Sequence, residues 1–346
     1  MKTVYSEDHK LRDAQSEIHG GEIVSPFECP RRAEIILGAV QDRGLGEVIA
    51  PDDYGLDPVL AVHDRGFVDF LATCAKEWAA AGFAGEALAT CWPTRTMGAP
   101  HIPEHIDGKI GYYALAAETS ITTGTWLAAL ASKNVALSAT DLVLTGAETA
   151  AFGLCRPPGH HAAVDQFGGY CFLNNAAIAA EHALSRGKAR IAILDVDFHH
   201  GNGTQNIFYG RDDVLFLSVH GDPLQAFPYF LGHAEETGTA AGEGFTQNYP
   251  LPPGATYELW CAALQEALER VSAFAPDLLI VSLGVDTYER DPISFFKLTH
   301  DDFFDYGRRI GSLGLPTVYL MEGGYAVDEI GINTTNVLFG HQDTAG

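Results

Sequence analysis

A single α/β domain, with a multi-stranded, mostly parallel sheet and helices on both faces, is predicted by two interleaved patterns and by the length of the chain. Short, continuously apolar, β-rich runs occur at Ile191–Val196, Val214–Val219, Leu278–Leu283 and Thr317–Met321. Between them lie helical patterns at Asn175–Ser185, Tyr257–Phe274 and Asp302–Leu313. Strands covered on both faces read as unbroken apolar runs, and parallel neighbours need a crossover of helical length between them. The 346 residues are 47% hydrophobic and 19% charged, enough for one large core, so residues 1–346 are read as one domain.

The segment from about Ala79 to Thr125 breaks this pattern. It holds Gly82, Gly85, Trp92, Pro93, Gly98, Pro100, Pro103 and Gly108 and no long periodic stretch. Irregular runs of this length inside a domain are functional loops or linkers. Trp92, Ile102, Ile110, Tyr112 and Tyr113 are too apolar for a linker. The segment is therefore expected to be an ordered insertion at residues 79–125 that covers an active site, forms a subunit contact, or both.

The net charge of −24 repels nucleic-acid phosphates and attracts cations; it also simply favours solubility. The six cysteines, at 29, 74, 91, 155, 171 and 261, include no CxxC pair and are expected to be reduced, as in a cytoplasmic protein. The opening residues lack the apolar core of a signal peptide, and no apolar run of about 20 residues is expected to span a membrane.

Four motifs carry chemistry, each placed at or just past the C-terminal end of a strand, the edge where open α/β sheets bind ligands. In Asp195-Val-Asp197-Phe-His199-His200-Gly-Asn202, Asp197 and His199 are two apart. On an extended segment they face one way, as divalent-metal ligands do, and Asp195 points with them. The alternative is a polar strand end with turn caps, but the charges are dense for that. Asp286, after the apolar run Leu278–Leu283, emerges at the same edge as a third candidate ligand; alone it would read as a helix N-cap. His160 and His161 follow Pro157-Pro158-Gly159. Adjacent residues do not face the same way, so this pair suits acid/base work better than metal chelation. Finally, Tyr325 follows Glu322-Gly323-Gly324, where paired glycines allow a sharp turn and a phenol can donate to an oxyanion. A packed tyrosine is the plainer alternative. The chain has no GxSxG or Walker motif, and Arg31-Arg32 and Arg308-Arg309 are its only adjacent basic pairs.

Taken together, Arg156-Pro-Pro-Gly-His-His161, Asp195-Val-Asp-Phe-His-His-Gly-Asn-Gly-Thr204, Leu283-Gly-Val-Asp286 and Glu322-Gly-Gly-Tyr325 resemble, in order and spacing, the histone-deacetylase superfamily of the arginase/deacetylase fold. Tyr5-Ser-Glu-Asp-His-Lys, Gly111-Tyr-Tyr with Glu118, and Asp291-Pro-Ile-Ser-Phe-Phe-Lys297 are similar to the bacterial acetylpolyamine amidohydrolases in particular.

The resemblance implies one zinc ion per chain on Asp197, His199 and Asp286, with Fe²⁺, Mn²⁺ or Co²⁺ as substitutes. It implies acid/base roles for His161 and, in support, His160, and carbonyl polarisation by Tyr325. Asp195 would pair with His160. Asn202 stands where some members have Asp, which leaves His161 less basic and favours it as a neutral base. A structural potassium ion is implied beside Asp195, Asp197, His199, Ser218 and Val219, and a second near Phe208, Arg211, Val214 and Phe245. Tyr170 and Phe227 match the aromatic tunnel walls of the family, and Glu118 and Asp107 its acidic rim. Asp107 replaces an expected Glu and His19 an expected Tyr. The implied activity is deacetylation of acetylated polyamines to acetate and free amine by a homodimer. Three other readings are an acetyl-lysine protein deacetylase, an arginase-like dimetal hydrolase, and a non-catalytic polyamine-binding protein.

Overall fold

The computed structural model describes residues 1–98 and 100–344. Its strands are β1 (Lys2–Val4), β2 (Glu17–His19), β3 (Glu22–Val24), β4 (Val48–Ile49), β5 (Ala150–Gly153), β6 (Ile191–Asp195), β7 (Val214–Gly221), β8 (Thr246–Leu251), β9 (Leu278–Leu283) and β10 (Thr317–Met321). Eight form one sheet in the order β4-β1-β5-β10-β9-β6-β7-β8, parallel throughout rather than mostly so. β2 and β3 make a separate antiparallel hairpin.

The unbroken apolar strands follow from having a core on each face. Ile191 and Ile193 of β6 pack with Ile280, Val318 and Leu320 beneath helices Thr125–Leu144 and Asn175–Ser185. Ala192 and Leu194 point the other way, to Val281, Tyr319 and Met321, against helices Pro30–Asp42, Tyr257–Phe274, His300–Gly311 and Ile330–Asp343. Both alternating sets are apolar, so no period of two survives in the sequence.

Where boundaries differ from expectation, hydrogen bonds decide them. The helix expected at Asp302–Leu313 runs His300–Gly311, because Asp302 is the third residue of a capping box and accepts from the Thr299 N–H at 2.6 Å. β7 extends to Gly221 because β8 pairs with it up to Gly221↔Leu251. β1 and β4, at the sheet's far edge, are too short to leave a periodic signal.

The segment from Ala79 to Thr125 is ordered, but it contains a helix, Ile106–Tyr113, where no periodic stretch was expected. Ile106, Ile110 and Tyr113 are buried in the core shared with helix Arg65–Ala80, and Lys109 pairs with Glu77 at 2.8 Å. Antiparallel bonds between Ala87 and Ile121 close its base. Helix Thr125–Leu144 also corrects an expectation. An 18-residue stretch of its 20 residues reaches a mean hydropathy of 1.3, sufficient by length and composition to cross a bilayer, yet 67% of that stretch is buried here as a core helix.

One buried ion cluster braces the loops above the sheet. Glu28 accepts from Arg156 Nε at 2.7 Å and Nη2 at 3.1 Å and from Arg32 Nη1 at 3.1 Å, with Arg12 Nε 3.8 Å away. All four side chains are buried. The arginines then hold distant backbone: Arg12 the carbonyl of Ser120, Arg156 those of His9 and Arg12, and Arg32 those of Glu322 and Gly324. Removing one member of a buried ion cluster strands the others without compensation. Glu28→Ala is therefore expected to cost about 3–5 kcal/mol, seen as a lower midpoint in urea denaturation followed by tryptophan fluorescence; an unshifted midpoint would contradict the bracing role.

Candidate active site

The sheet order places β5, β10, β9 and β6 side by side. In sequence, the four motifs follow these four strands, so parallel pairing delivers all of them to one edge. Asp197 Oδ1 lies 3.3 Å and Asp286 Oδ2 3.0 Å from His199 Nδ1. Each of the three residues offers a donor atom within 4.8 Å of the others, and all three are buried. The backbone holds them in place: His199 N–H donates to Asp197 Oδ1, Phe198 N–H to Asp286 Oδ1, and Gly323 N–H to Asp197 Oδ2.

This cluster fits a divalent cation. A Cβ at Gly284 would stand 2.0 Å from Asp197 Oδ2, and one at Gly323 2.5 Å from Asp286 Oδ2, so glycine is required where the backbone closes around the carboxylates. Two buried carboxylates facing one imidazole carry excess negative charge. Burial and the neighbouring Asp197 push the Asp286 carboxyl up to about 7. Burial opposes the charge on His199, but Asp197 and Asp286 outweigh it and raise that imidazole to about 9. A cation would relieve both strains, and an oxygen and nitrogen donor set suits Zn²⁺, Fe²⁺, Mn²⁺ or Co²⁺. A second trio of buried donors, His160, Cys171 and Glu322, lies nearby. There, burial holds the Cys171 thiol well above its ordinary range, and the thiol donates to the Gly169 carbonyl. Glu322 Oε2 is already bonded by the N–H groups of Gly159 and His160.

The tandem histidines are differentiated by their partners. His160 Nδ1 donates to Asp195 Oδ2 at 3.0 Å. Burial lowers its basicity, but Asp197 and Asp195 overcome that and raise it to about 10. His161 Nδ1 is 2.6 Å from Asn202 Oδ1, while the Asn202 amide nitrogen donates to the His161 carbonyl. That orientation makes Asn202 Oδ1 an acceptor, so His161 holds its proton on Nδ1 and leaves Nε2 unprotonated. Burial, then the charges on His160 and His199, keep His161 well below the usual histidine range. Tyr325 is buried, with a phenol held well above its ordinary value by burial, and so remains a donor.

A cavity of about 420 Å³ opens onto these groups. His161, His199 and Tyr325 stand in its lining, with Tyr170, Phe227, Phe198 and Phe295 as aromatic walls. Tyr170 and Phe227 are thus where expected; the Tyr170 ring lies 5.5 Å from that of Tyr325. Glu118 and His19 also line the cavity. Asp107 does not: it sits in the first turn of helix Ile106–Tyr113, outside the cavity of its own chain. Among its described residues, the insertion contributes Glu118 alone to the cavity lining. The β2–β3 hairpin, through Glu17, Ile18, His19 and Gly20, and the loop Gln225–Tyr229 contribute more of the lining.

Glu17 escaped sequence reasoning. It is buried, accepts from Tyr170 Oη at 2.7 Å and Phe27 N–H at 3.1 Å, and its carboxyl is raised by burial. A lone Glu in a three-residue strand carries no signal in sequence. Of the residues implied to hold potassium, Asp195 and Ser218 are register partners on β6 and β7, and both are buried with Asp197, His199 and Val219. The Ser218 hydroxyl bonds His220 Nδ1 at 2.8 Å. For the second set, Phe208 accepts from the Arg211 N–H just before β7 starts at Val214, and Phe245 accepts from the N–H of Phe216 on β7.

Fold and site together define a deacetylase domain: residues 26–340 match the histone deacetylase domain, and the chain belongs to that family. At full length it is 57% identical to the acetylpolyamine amidohydrolase of Mycoplana ramosa, over 98% of this chain and 99% of that one. It is 52% identical to acetylpolyamine amidohydrolase 1 of Pseudomonas aeruginosa over the whole of both chains. The crystal structure of the acetylpolyamine aminohydrolase from Burkholderia pseudomallei superimposes with a TM-score of 0.95 at 38% identity, covering 99% of each chain.

Replacing neutral Asn202 by a carboxylate stabilises the imidazolium behind it. Asn202→Asp should raise the His161 titration midpoint by about 1–2 units, followed by NMR of the imidazole protons. A midpoint that stays put would mean that Asn202 does not set the His161 proton.

Proposed function

We propose that the protein is a zinc-dependent acetylpolyamine amidohydrolase, releasing acetate and a free amine from an acetylated polyamine. The observation that carries this reading is a single aromatic-walled cavity with Glu118 and Glu17 in its lining and, at its buried end, the Asp197, His199 and Asp286 cluster beside His161 and Tyr325. The names of the full-length relatives point the same way.

The residues divide the reaction between them. A cation on Asp197, His199 and Asp286 supplies Lewis-acid polarisation of the acetamide carbonyl and the attacking water. His161, neutral with Nε2 free, takes the proton of that water. The Tyr325 hydroxyl donates to the oxygen on which negative charge develops. His161 returns the water's proton to the leaving amine, and His160, hydrogen-bonded to Asp195 and with its ring 4.0 Å from that of His161, supports the exchange. The aromatic walls exclude water and leave room for a thin chain. Glu118 and Glu17 attract the distal ammonium, a partly screened pairing worth about 1–2 kcal/mol, while the net charge of −24 adds a weaker, salt-sensitive pull.

Potassium beside Asp195 and Ser218 belongs to the same proposal, supported by the charge buried there. So does a cytoplasmic site of action, supported by six unpaired cysteines. A homodimer is supported by exposed apolar side chains on the insertion, Met97 and Ile102, and by the rim, Leu224 and Phe230. The mouth of one subunit then completes itself against another.

Two measurements test this reading. Elemental analysis should find one divalent ion per chain in the native protein and a clear loss in Asp286→Ala and His199→Ala; full occupancy in both variants would remove the metal assignment. With acetylputrescine, Glu118→Gln should raise KM roughly tenfold at every salt concentration and leave a neutral acetylated alkylamine nearly unaffected. Equal responses would make Glu118 structural, and acetyl-lysine peptides outcompeting acetylpolyamines in kcat/KM would move the substrate to protein.

A further inference from the structure

The turn that carries Tyr325 has no regular secondary structure, yet most of its backbone groups are engaged. β10 ends at Met321. The Glu322 N–H donates to the Leu283 carbonyl, the Gly323 N–H to Asp197, and the Gly323 carbonyl accepts from Val285. Arg32 takes the carbonyls of Glu322 and Gly324. The N–H groups of Tyr325 and Ala326 both go to one carboxylate oxygen: Asp291 Oδ2 lies 2.7 Å from Tyr325 N and 3.2 Å from Ala326 N.

Asp291 reaches the turn from the loop after β9, 34 residues earlier in sequence. It is 6% exposed and stands outside the cavity lining. Its other oxygen, Oδ1, accepts from the Ile293 N–H at 3.1 Å, and the Ile293 side chain lines the cavity. Its own N–H donates to the Tyr288 carbonyl. One buried side chain thus ties the hydroxyl donor of the site to a wall of the cavity, without touching either the substrate space or the cluster of Asp197, His199 and Asp286.

We infer that Asp291 is a positioning residue for Tyr325, holding the phenol where charge develops on the substrate by anchoring its backbone N–H. This rests on the proposed role of Tyr325. The physical need is sharp. An unpaired buried N–H is costly, so without Asp291 the turn must rearrange, and a displacement of about 1 Å in a donor costs much of its catalytic effect. Substrate binding, which uses the walls and the carboxylates of the mouth, is far less sensitive.

The test is a cycle on the metal-loaded enzyme. Asp291→Ala and Asp291→Asn are each made alone and in a Tyr325→Phe background, and kcat, KM and metal content are measured. Asp291→Ala should lower kcat about 10- to 100-fold, short of the roughly 100- to 1,000-fold for loss of an oxyanion donor, with KM and bound metal little changed. Asp291→Asn should fall between, since its single oxygen can serve the Tyr325 turn or Ile293 but not both. In the Tyr325→Phe background neither substitution should cost anything further, because the group being positioned is gone. An equal fold-loss in both backgrounds, or a parallel loss of metal, would overturn the inference. If Asp291→Ala does not fold, the Asn variant carries the same comparison. The ratios are taken on whichever acetylated amine the native enzyme turns over fastest, so an error in the substrate reading leaves them interpretable, and a native enzyme inactive on all acetylated amines would defeat the functional reading instead.

Discussion

Charge buried away from water must be compensated on the spot, and the upper edge of this sheet is organised around that constraint. Asp195, Asp197 and Asp286 are all buried at the ends of neighbouring strands. Each is met by backbone N–H groups or an imidazole, and the pull of this negative cluster explains why His160 and His199 are far more basic than buried histidines otherwise are. Glu28 answers the same problem with the sign reversed, collecting three arginines that would be untenable alone. The two clusters meet at the Glu322–Tyr325 turn, which Arg32 grips from one side and Asp197 from the other.

The tandem histidines show a sharp electrostatic contrast between adjacent side chains. His160 and His161 have rings 4.0 Å apart, yet one is driven towards the charged form and the other away from it. The difference is the residue behind each ring: a carboxylate for His160, an amide for His161. A charged imidazole beside a neutral one also keeps the neutral one neutral, since the first charge opposes a second. A single dipeptide thereby holds two imidazoles of opposite tendency, which is what the proposed hydrolysis asks of it.

Much of this was legible in the sequence because a carboxylate and an imidazole two residues apart, tandem histidines and a glycine-flanked tyrosine are local patterns. Each sits within a few residues of an apolar strand, and the strand's hydrophobicity marks where it ends. Asn202 was legible too, as the neutral group behind His161. That Asp107 lies outside the cavity of its own chain and that Glu17 lies within it were not legible, for the opposite reason. Whether an acidic residue in a loop faces the cavity depends on how the β2–β3 hairpin and the insertion pack, and neither carries a periodic signal. The helix Ile106–Tyr113 hid among glycines and prolines because burial against helix Arg65–Ala80 stabilises it, where its own propensity does not.

The sequence by itself determined the α/β architecture, the donor types of the Asp197, His199 and Asp286 cluster and the pair of histidines, since strand hydrophobicity and side-chain spacing are encoded within a dozen residues. Only the tertiary structure decided the strand order that makes β5, β10, β9 and β6 neighbours, the carboxylates that face the cavity, and the partner that each buried charge finds. Those depend on groups brought together across long stretches of chain: Glu28 meets Arg156 across 128 positions, and Asp197 meets the Gly323 N–H across 126. Pairings at that distance arise from packing the two cores onto the sheet, which no local pattern records.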